Sequence, residues 1–115
     1  MPPNRNLVYV FDVAGADPAL LDHEPSVRHA VDRVLDASGL TRVAEASHRF
    51  EPQGFSLAVV LAESHLAVHT WPEDGTAYLT LTTCRAPASD AFEDETAALL
   101  TDLLAATAVT VRRLV

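Results

Sequence analysis

The sequence predicts an α+β fold: a two-layer α/β sandwich with a mainly antiparallel sheet and two helices packed on one face. Three observations predict it. Short runs rich in β-branched and aromatic residues alternate with turn signals through the middle of the chain. Two longer stretches, residues 26–38 and 90–106, repeat apolar residues at helical spacing. The central strand runs are joined by only a few residues, which suits antiparallel neighbours and not crossovers. A length of 115 residues with 49% hydrophobic content suits a single domain over residues 1–115.

Met1 to Asn6 is polar and is expected to be loose. Leu7 to Val13 is strand-like throughout. Gly15 to Pro25 is a connection with room for one helical turn over Pro18 to Asp22. Ser26 suits an N-cap and Gly39 a C-terminal stop, so a helix is expected from 26 to 38, with Val27, Ala30, Val31, Val34 and Leu35 on one face. Thr41 to Phe50 is a second, weaker strand, closed by the turn Pro52-Gln53-Gly54. Phe55 to Ala62 is a buried third strand and His65 to Trp71 a fourth. The turn Pro72-Glu73-Asp74-Gly75 leads into a fifth strand, Thr76 to Cys84. After a linker, Asp90 to Ala106 reads as a helix with Phe92, Ala97, Leu99, Leu100, Leu103 and Leu104 apolar, and Val109 to Val115 closes as a strand. The order is βαββββαβ.

Composition removes several classes of function. The net charge of −8 argues against a nucleic-acid partner, which calls for a basic face. All eight basic residues are arginine, so neither a lysine nucleophile nor a lysine-anchored pyridoxal cofactor is available. The acidic balance suits a cationic small molecule over an anionic one, and equally an acidic surface that serves solubility alone. One cysteine, Cys84, allows neither an internal disulfide nor a cysteine-rich zinc site. With no signal peptide and no apolar run of about 18 residues, a cytoplasmic protein without a membrane partner is expected.

Chemistry concentrates between Ala62 and Glu73, where a serine, two histidines, a tryptophan and two glutamates fall within twelve residues. Strand alternation puts His65, Ala67, His69 and Trp71 on one face and Leu66, Val68 and Thr70 on the other. Four residues of extended strand separate His65 from His69 by about 13 Å, too far for one metal ion, so no metal site is expected. A simple hairpin across residues 72–75 sets Trp71 opposite Thr76, His69 opposite Tyr78 and His65 opposite Thr82. Cys84 then falls opposite Glu63, beside Ser64. His69 lies about 16 Å from Ser64 along the strand. A two-fold dimer that brings one subunit's His69 to the other's Ser64 would join them without a bend.

The run Glu63-Ser64-His65-x-x-x-His69-Thr70-Trp71-Pro72-Glu73, followed by Thr83-Cys84, resembles the prokaryotic S-adenosylmethionine decarboxylase proenzymes. His48-Arg49-Phe50 and Gly54-Phe55-Ser56 share the likeness, which covers residues 40–85 well and the flanks by pattern only. The resemblance implies self-cleavage between Glu63 and Ser64 and conversion of Ser64 to a pyruvoyl group, a ketone that does pyridoxal-type chemistry. It implies a processing base, His69, helped by Ser56, and a proton donor, Cys84. It further implies that Phe50 stacks on adenine and Glu73 binds the ribose; His65 is expected to bind substrate with them, its ordinary alternative being a histidine held by hydrogen bonds near the site. The product would be decarboxylated S-adenosylmethionine for spermidine synthesis, and the active site would lie at a homodimer interface.

The chain departs from the family pattern at Asp74 and Thr76, where tyrosines are usual. It departs again at Thr80, Thr82 and Arg85, where aspartate, phenylalanine and glycine are usual, and Asn4-Arg5-Asn6-Leu7 replaces a Gly-Arg-His-Leu start. Processing residues are kept while pocket-wall residues change, which leaves the substrate more open than the chemistry. Two alternatives stand beside the main reading: a pyruvoyl-dependent arginine or ornithine decarboxylase, and an uncleaved, non-catalytic relative.

Overall fold

The computed structural model describes residues 6–114. The expected loose start (residues 1–5) and the terminal Val115 lie outside the described residues. In chain order the elements are β1 (Leu7–Ala14), α1 (Pro18–Leu21), α2 (Glu24–Ser38), β2 (Arg42–Arg49), β3 (Phe55–Leu61), β4 (Ser64–Trp71), β5 (Thr76–Thr83), α3 (Phe92–Leu103) and β6 (Ala108–Leu114). Pro72–Asp74 forms a single 3₁₀ turn between β4 and β5. The strands make one sheet in the order β2-β3-β4-β5-β1-β6. Every neighbouring pair is antiparallel.

The sheet buries one face. Tyr9, Phe11 and Val13 of β1, Leu57 and Val59 of β3, Leu66 and Val68 of β4, and Leu79 and Leu81 of β5 point into a common core. Against them α2 sets Val27, Ala30, Val31 and Val34, and α3 sets Phe92 and Leu100. The rings of Tyr9, Phe11 and Phe92 meet edge to face or stacked within 6.5 Å. Period-2 strands over period-3.6 helices thus give the expected two layers. No helix among the described residues is long and apolar enough to cross a membrane.

The extents of two helices differ from the sequence expectation. Helix α2 begins at Glu24 with His23 as its N-cap, and Ser26 sits inside the first turn, its hydroxyl 2.7 Å from His23 Nδ1. Pro25 permits this early start, because a first-turn residue needs no N–H donor. The single turn over Pro18–Leu21 adds a third, four-residue helix capped by Asp17, whose carboxylate accepts from the Ala19 N–H. Helix α3 is shorter than residues 90–106. It turns Phe92, Thr96 and Leu100 inward at four-residue spacing, while Leu99 is only half-buried. Gly39 ends α2 as expected, in the left-handed region at φ 73°.

β2 is exposed along its whole length and forms one edge of the sheet. Charge ties it to α2. The Arg28 guanidinium donates to Glu24 at 2.8 Å, to Glu45 and to Ser47 at 3.2 Å, and Arg42 donates to Asp32 and Glu45. The hydrogen bond from Arg28 holds the Glu45 carboxyl below its ordinary value and raises Arg28 above its own.

Candidate active site

The β3–β4 hairpin turns on two residues, Ala62 and Glu63, with Leu61 paired to Ser64. Glu63 takes φ 63°, a left-handed conformation that costs a residue with a Cβ about 1 kcal/mol. The peptide bond between Glu63 and Ser64 therefore leaves the strained position of a tight turn. Ser64 opens β4 opposite Thr83, the last residue of β5. Its hydroxyl donates to Thr83 Oγ1 at 2.9 Å. The Cys84 thiol donates to the Glu63 carbonyl oxygen at 3.5 Å and lies 3.7 Å from Glu63 Oε2. A nucleophile, the carbonyl ahead of it and a proton donor on that carbonyl's oxygen thus meet at one hairpin apex.

The ladder reproduces the register read from the turn. Trp71 faces Thr76, His69 faces Tyr78 and His65 faces Thr82. Alternation along β4 puts Leu66, Val68 and Thr70 in the core, and His65, Ala67, His69 and Trp71 on the helix-free face. His69 Nδ1 lies 2.6 Å from Ser56 Oγ, its direct neighbour across β3. Its ring packs 5.1 Å from Tyr78 and 6.3 Å from Trp71, and these two stack on each other at 5.6 Å. A cavity of about 480 Å³ opens beside this cluster, lined by Phe50, Glu51, Ser56, His69, Trp71 and Glu73 among others. Its carboxylates are Glu51 and Glu73, and no arginine lines it.

The structure therefore gathers the predicted residues into two groups. Glu63, Ser64 and Cys84 stand at the hairpin apex. Phe50, Ser56, His69 and Glu73 stand at the far end of β4, around the cavity. His65 lies between them, exposed on the open face opposite Val60 and Thr82. Ser64 and His69 do not meet within one chain. β4 pairs without interruption to β3 and β5, so their separation stays near 16 Å and their side chains alternate to opposite faces. Among the described residues no group of three or more histidine, cysteine, aspartate or glutamate side chains is placed to hold a metal ion. Two contacts escaped the sequence reading: Thr83 on the Ser64 hydroxyl, and Tyr78 under His69 and Trp71. The hairpin register carried both, since Cys84 opposite Glu63 implies Thr83 opposite Ser64, and His69 was set opposite Tyr78.

The fold and the apex define a two-layer α+β protein with a serine, a left-handed residue before it and a thiol brought together by hairpin register. Residues 7–115 match the family model described as S-adenosylmethionine decarboxylase. The chain is 36% identical over 87 residues to an S-adenosylmethionine decarboxylase proenzyme of Hydrogenobaculum, covering 76% of this chain and 65% of that one. It is 38% identical over 108 residues to the Thermoplasma volcanium proenzyme, covering 92% of this chain and 79% of the relative. The fold is similar to that of the crystal structure of the adenosylmethionine decarboxylase from Aquifex aeolicus, with a TM-score of 0.78, 22% identity, and coverage of 96% and 89% of the two chains. The chain belongs to the S-adenosylmethionine decarboxylase family, and the two curated relatives above are named as proenzymes. It spans less than two thirds of some of its curated relatives, 65% of the Hydrogenobaculum protein and 62% of the Methanococcus vannielii one.

Proposed function

We propose that this chain is a pyruvoyl-dependent S-adenosylmethionine decarboxylase that matures by cutting itself between Glu63 and Ser64. One observation carries the reading: the Ser64 hydroxyl stands at the hairpin apex next to a carbonyl whose oxygen faces the Cys84 thiol at 3.5 Å. Ser64 Oγ attacks the Glu63 carbonyl carbon, the C–N bond breaks, and an ester replaces the peptide bond. The Cys84 S–H donates to the oxygen on which negative charge collects. Elimination then releases the Glu63 carboxylate from the serine Cβ, and water displaces ammonia to leave a ketone at residue 64. That ketone supplies the electron sink on which a substrate amine can lose carbon dioxide. Cys84 returns a proton to the substrate carbon. Phe50 and Glu73, on the wall of the cavity, offer a ring for adenine and a carboxylate for ribose hydroxyls. The reaction makes decarboxylated S-adenosylmethionine for spermidine synthesis, in the cytoplasm.

His69 is the processing base, oriented by Ser56, and it reaches Ser64 from a second copy. The open sheet face supports a homodimer. It carries half-exposed Val60 and Trp71 beside the small Ala58 and Ala67, so another sheet can approach closely. A two-fold contact there brings His69 of the partner subunit to the hairpin apex from the open-face side, while the Ser64 side chain leaves on the helix side, so the two meet around the end of β4 and not across the middle of the sheet. A basic amino acid such as arginine or ornithine is the second substrate reading. It is favoured by the carboxylates Glu51 and Glu73 in a cavity without arginine, and by the changed residues Asp74, Thr76, Thr80, Thr82 and Arg85.

Intact mass under denaturing conditions tests the processing, beside Ser64→Ala. Two fragments are expected, the C-terminal one lighter by one ammonia than hydrolysis alone would leave it. A single full-length mass after long incubation refutes it. Carbon dioxide release from S-adenosylmethionine, arginine and ornithine then assigns the substrate.

A further inference from the structure

We propose that Thr83 is a positioning residue for self-cleavage, holding the Ser64 hydroxyl so that its lone pairs are free to meet the Glu63 carbonyl carbon. The inference rests on the self-cleavage reading above. Thr83 is 1% exposed, and its single hydroxyl proton is donated to the Arg85 carbonyl at 2.9 Å. It also accepts the Arg85 N–H at 3.2 Å. A hydroxyl has one proton to give, so toward Ser64 it acts as acceptor only. Ser64 must then be the donor, at 2.9 Å. This fixes the serine rotamer and points its hydrogen into β5, leaving the oxygen's lone pairs unbonded on the other side. A free serine would sample three staggered wells, and an attack on the carbonyl just before it depends on which well is filled.

The neighbour of Thr83 completes the grip. Successive side chains of a strand leave on opposite faces. Thr83 turns inward to the serine oxygen, and Cys84, one residue on, reaches the oxygen of the carbonyl to be attacked. Two adjacent residues thus hold the two reacting groups from opposite sides. A threonine that only filled core volume would need neither its hydroxyl nor the serine contact. The two roles make opposite demands: positioning needs the hydroxyl, packing needs the methyl.

The test follows cleavage of freshly made full chain by intact mass in wild type, Thr83→Val and Thr83→Ser, with thermal melting of each. Thr83→Val is expected to slow fragment formation about tenfold or more, the scale of one lost hydrogen bond in a rate, while Thr83→Ser stays near wild type. Added hydroxylamine, which cuts an ester but not a peptide bond, is expected to release no extra fragments from Thr83→Val, because the ester itself fails to form. Wild-type rates in Thr83→Val overturn the proposal. So does the reverse order, with Thr83→Ser slow and Thr83→Val fast, or rapid hydroxylamine cleavage of Thr83→Val. Should Thr83→Val not fold, Thr83→Ala makes the same comparison with less bulk. A wild-type chain that never cleaves refutes the self-cleavage reading, and this one with it, whereas cleavage at equal rates in all variants refutes this one alone.

Discussion

Replacing Thr96 by valine should stabilise the protein. Thr96 lies in the middle of α3, fully buried, and its hydroxyl finds no hydrogen-bond partner among the described residues. A threonine in a helix usually returns its hydroxyl to the carbonyl one turn back, and here it does not. Burying an unpaired hydroxyl costs about 1–3 kcal/mol by protein measurements. Valine has nearly the same shape, so it opens no cavity, and its helix propensity is close to that of threonine. The added methyl also faces the core in place of a polar atom. Thr96→Val should therefore gain about 1–2 kcal/mol, which for a domain of this size raises the melting temperature by about 4–8 °C. Urea unfolding followed by circular dichroism gives the free energy directly, with an unchanged m-value showing that the transition is the same. A loss of 1 kcal/mol or more would mean that the hydroxyl is hydrogen-bonded, through a buried water or a second rotamer, and would refute the reasoning.

Three further outcomes are expected. Gly54→Ala should destabilise by about 2–3 kcal/mol in a thermal melt, because Gly54 has φ 91° and a Cβ there would lie 2.9 Å from the Thr70 carbonyl oxygen; a neutral result would show that the turn beside the cavity moves freely. Glu45→Gln should flatten the acid limb of the stability curve, since a carboxyl held below its ordinary value by Arg28 contributes fully above pH 4.5 and is lost as pH falls through its lower folded value. With the pair about a third exposed, the change should stay under about 1 kcal/mol and fade in salt, and an acid limb identical to wild type would remove the contribution. Ser56→Ala should slow self-cleavage by about tenfold while leaving the melting temperature within a few degrees, because its hydroxyl holds His69 Nδ1 at 2.6 Å; unchanged cleavage would take Ser56 out of the processing step.

The sheet was legible because its turns are short. Pro72 to Gly75 left one plausible pairing, and that register carried Ser64 to β5 and Cys84 to the Glu63 carbonyl with no knowledge of the helices. Residues whose placement depends on packing were harder. Thr96 breaks the apolar pattern of α3, yet it faces the core because Phe92 and Leu100 set the spacing around it. Ser26 looked like a cap because the residue type suits one, but Pro25 let the helix begin two residues earlier. Thr83 was visible only as half of a Thr-Cys pair, since a hydroxyl's role depends on where its single proton goes, and that is settled by the Arg85 backbone. The gap between Ser64 and His69 was also readable, because strand rise is nearly constant.

The strand order bears on what a cut at Glu63 would leave behind. The first 63 residues hold β1, β2 and β3, and the remainder holds β4, β5 and β6. Across the sheet these are not two halves side by side. β1, from the first piece, is threaded between β5 and β6 of the second, hydrogen-bonded on both edges. β3 and β4, severed from each other at the apex, remain a ladder from Ser56–His69 to Leu61–Ser64. The two pieces would be interlaced, so neither could leave without dismantling the shared sheet. One broken peptide bond would create a new chain end in the middle of a folded body and leave the body's shape unchanged.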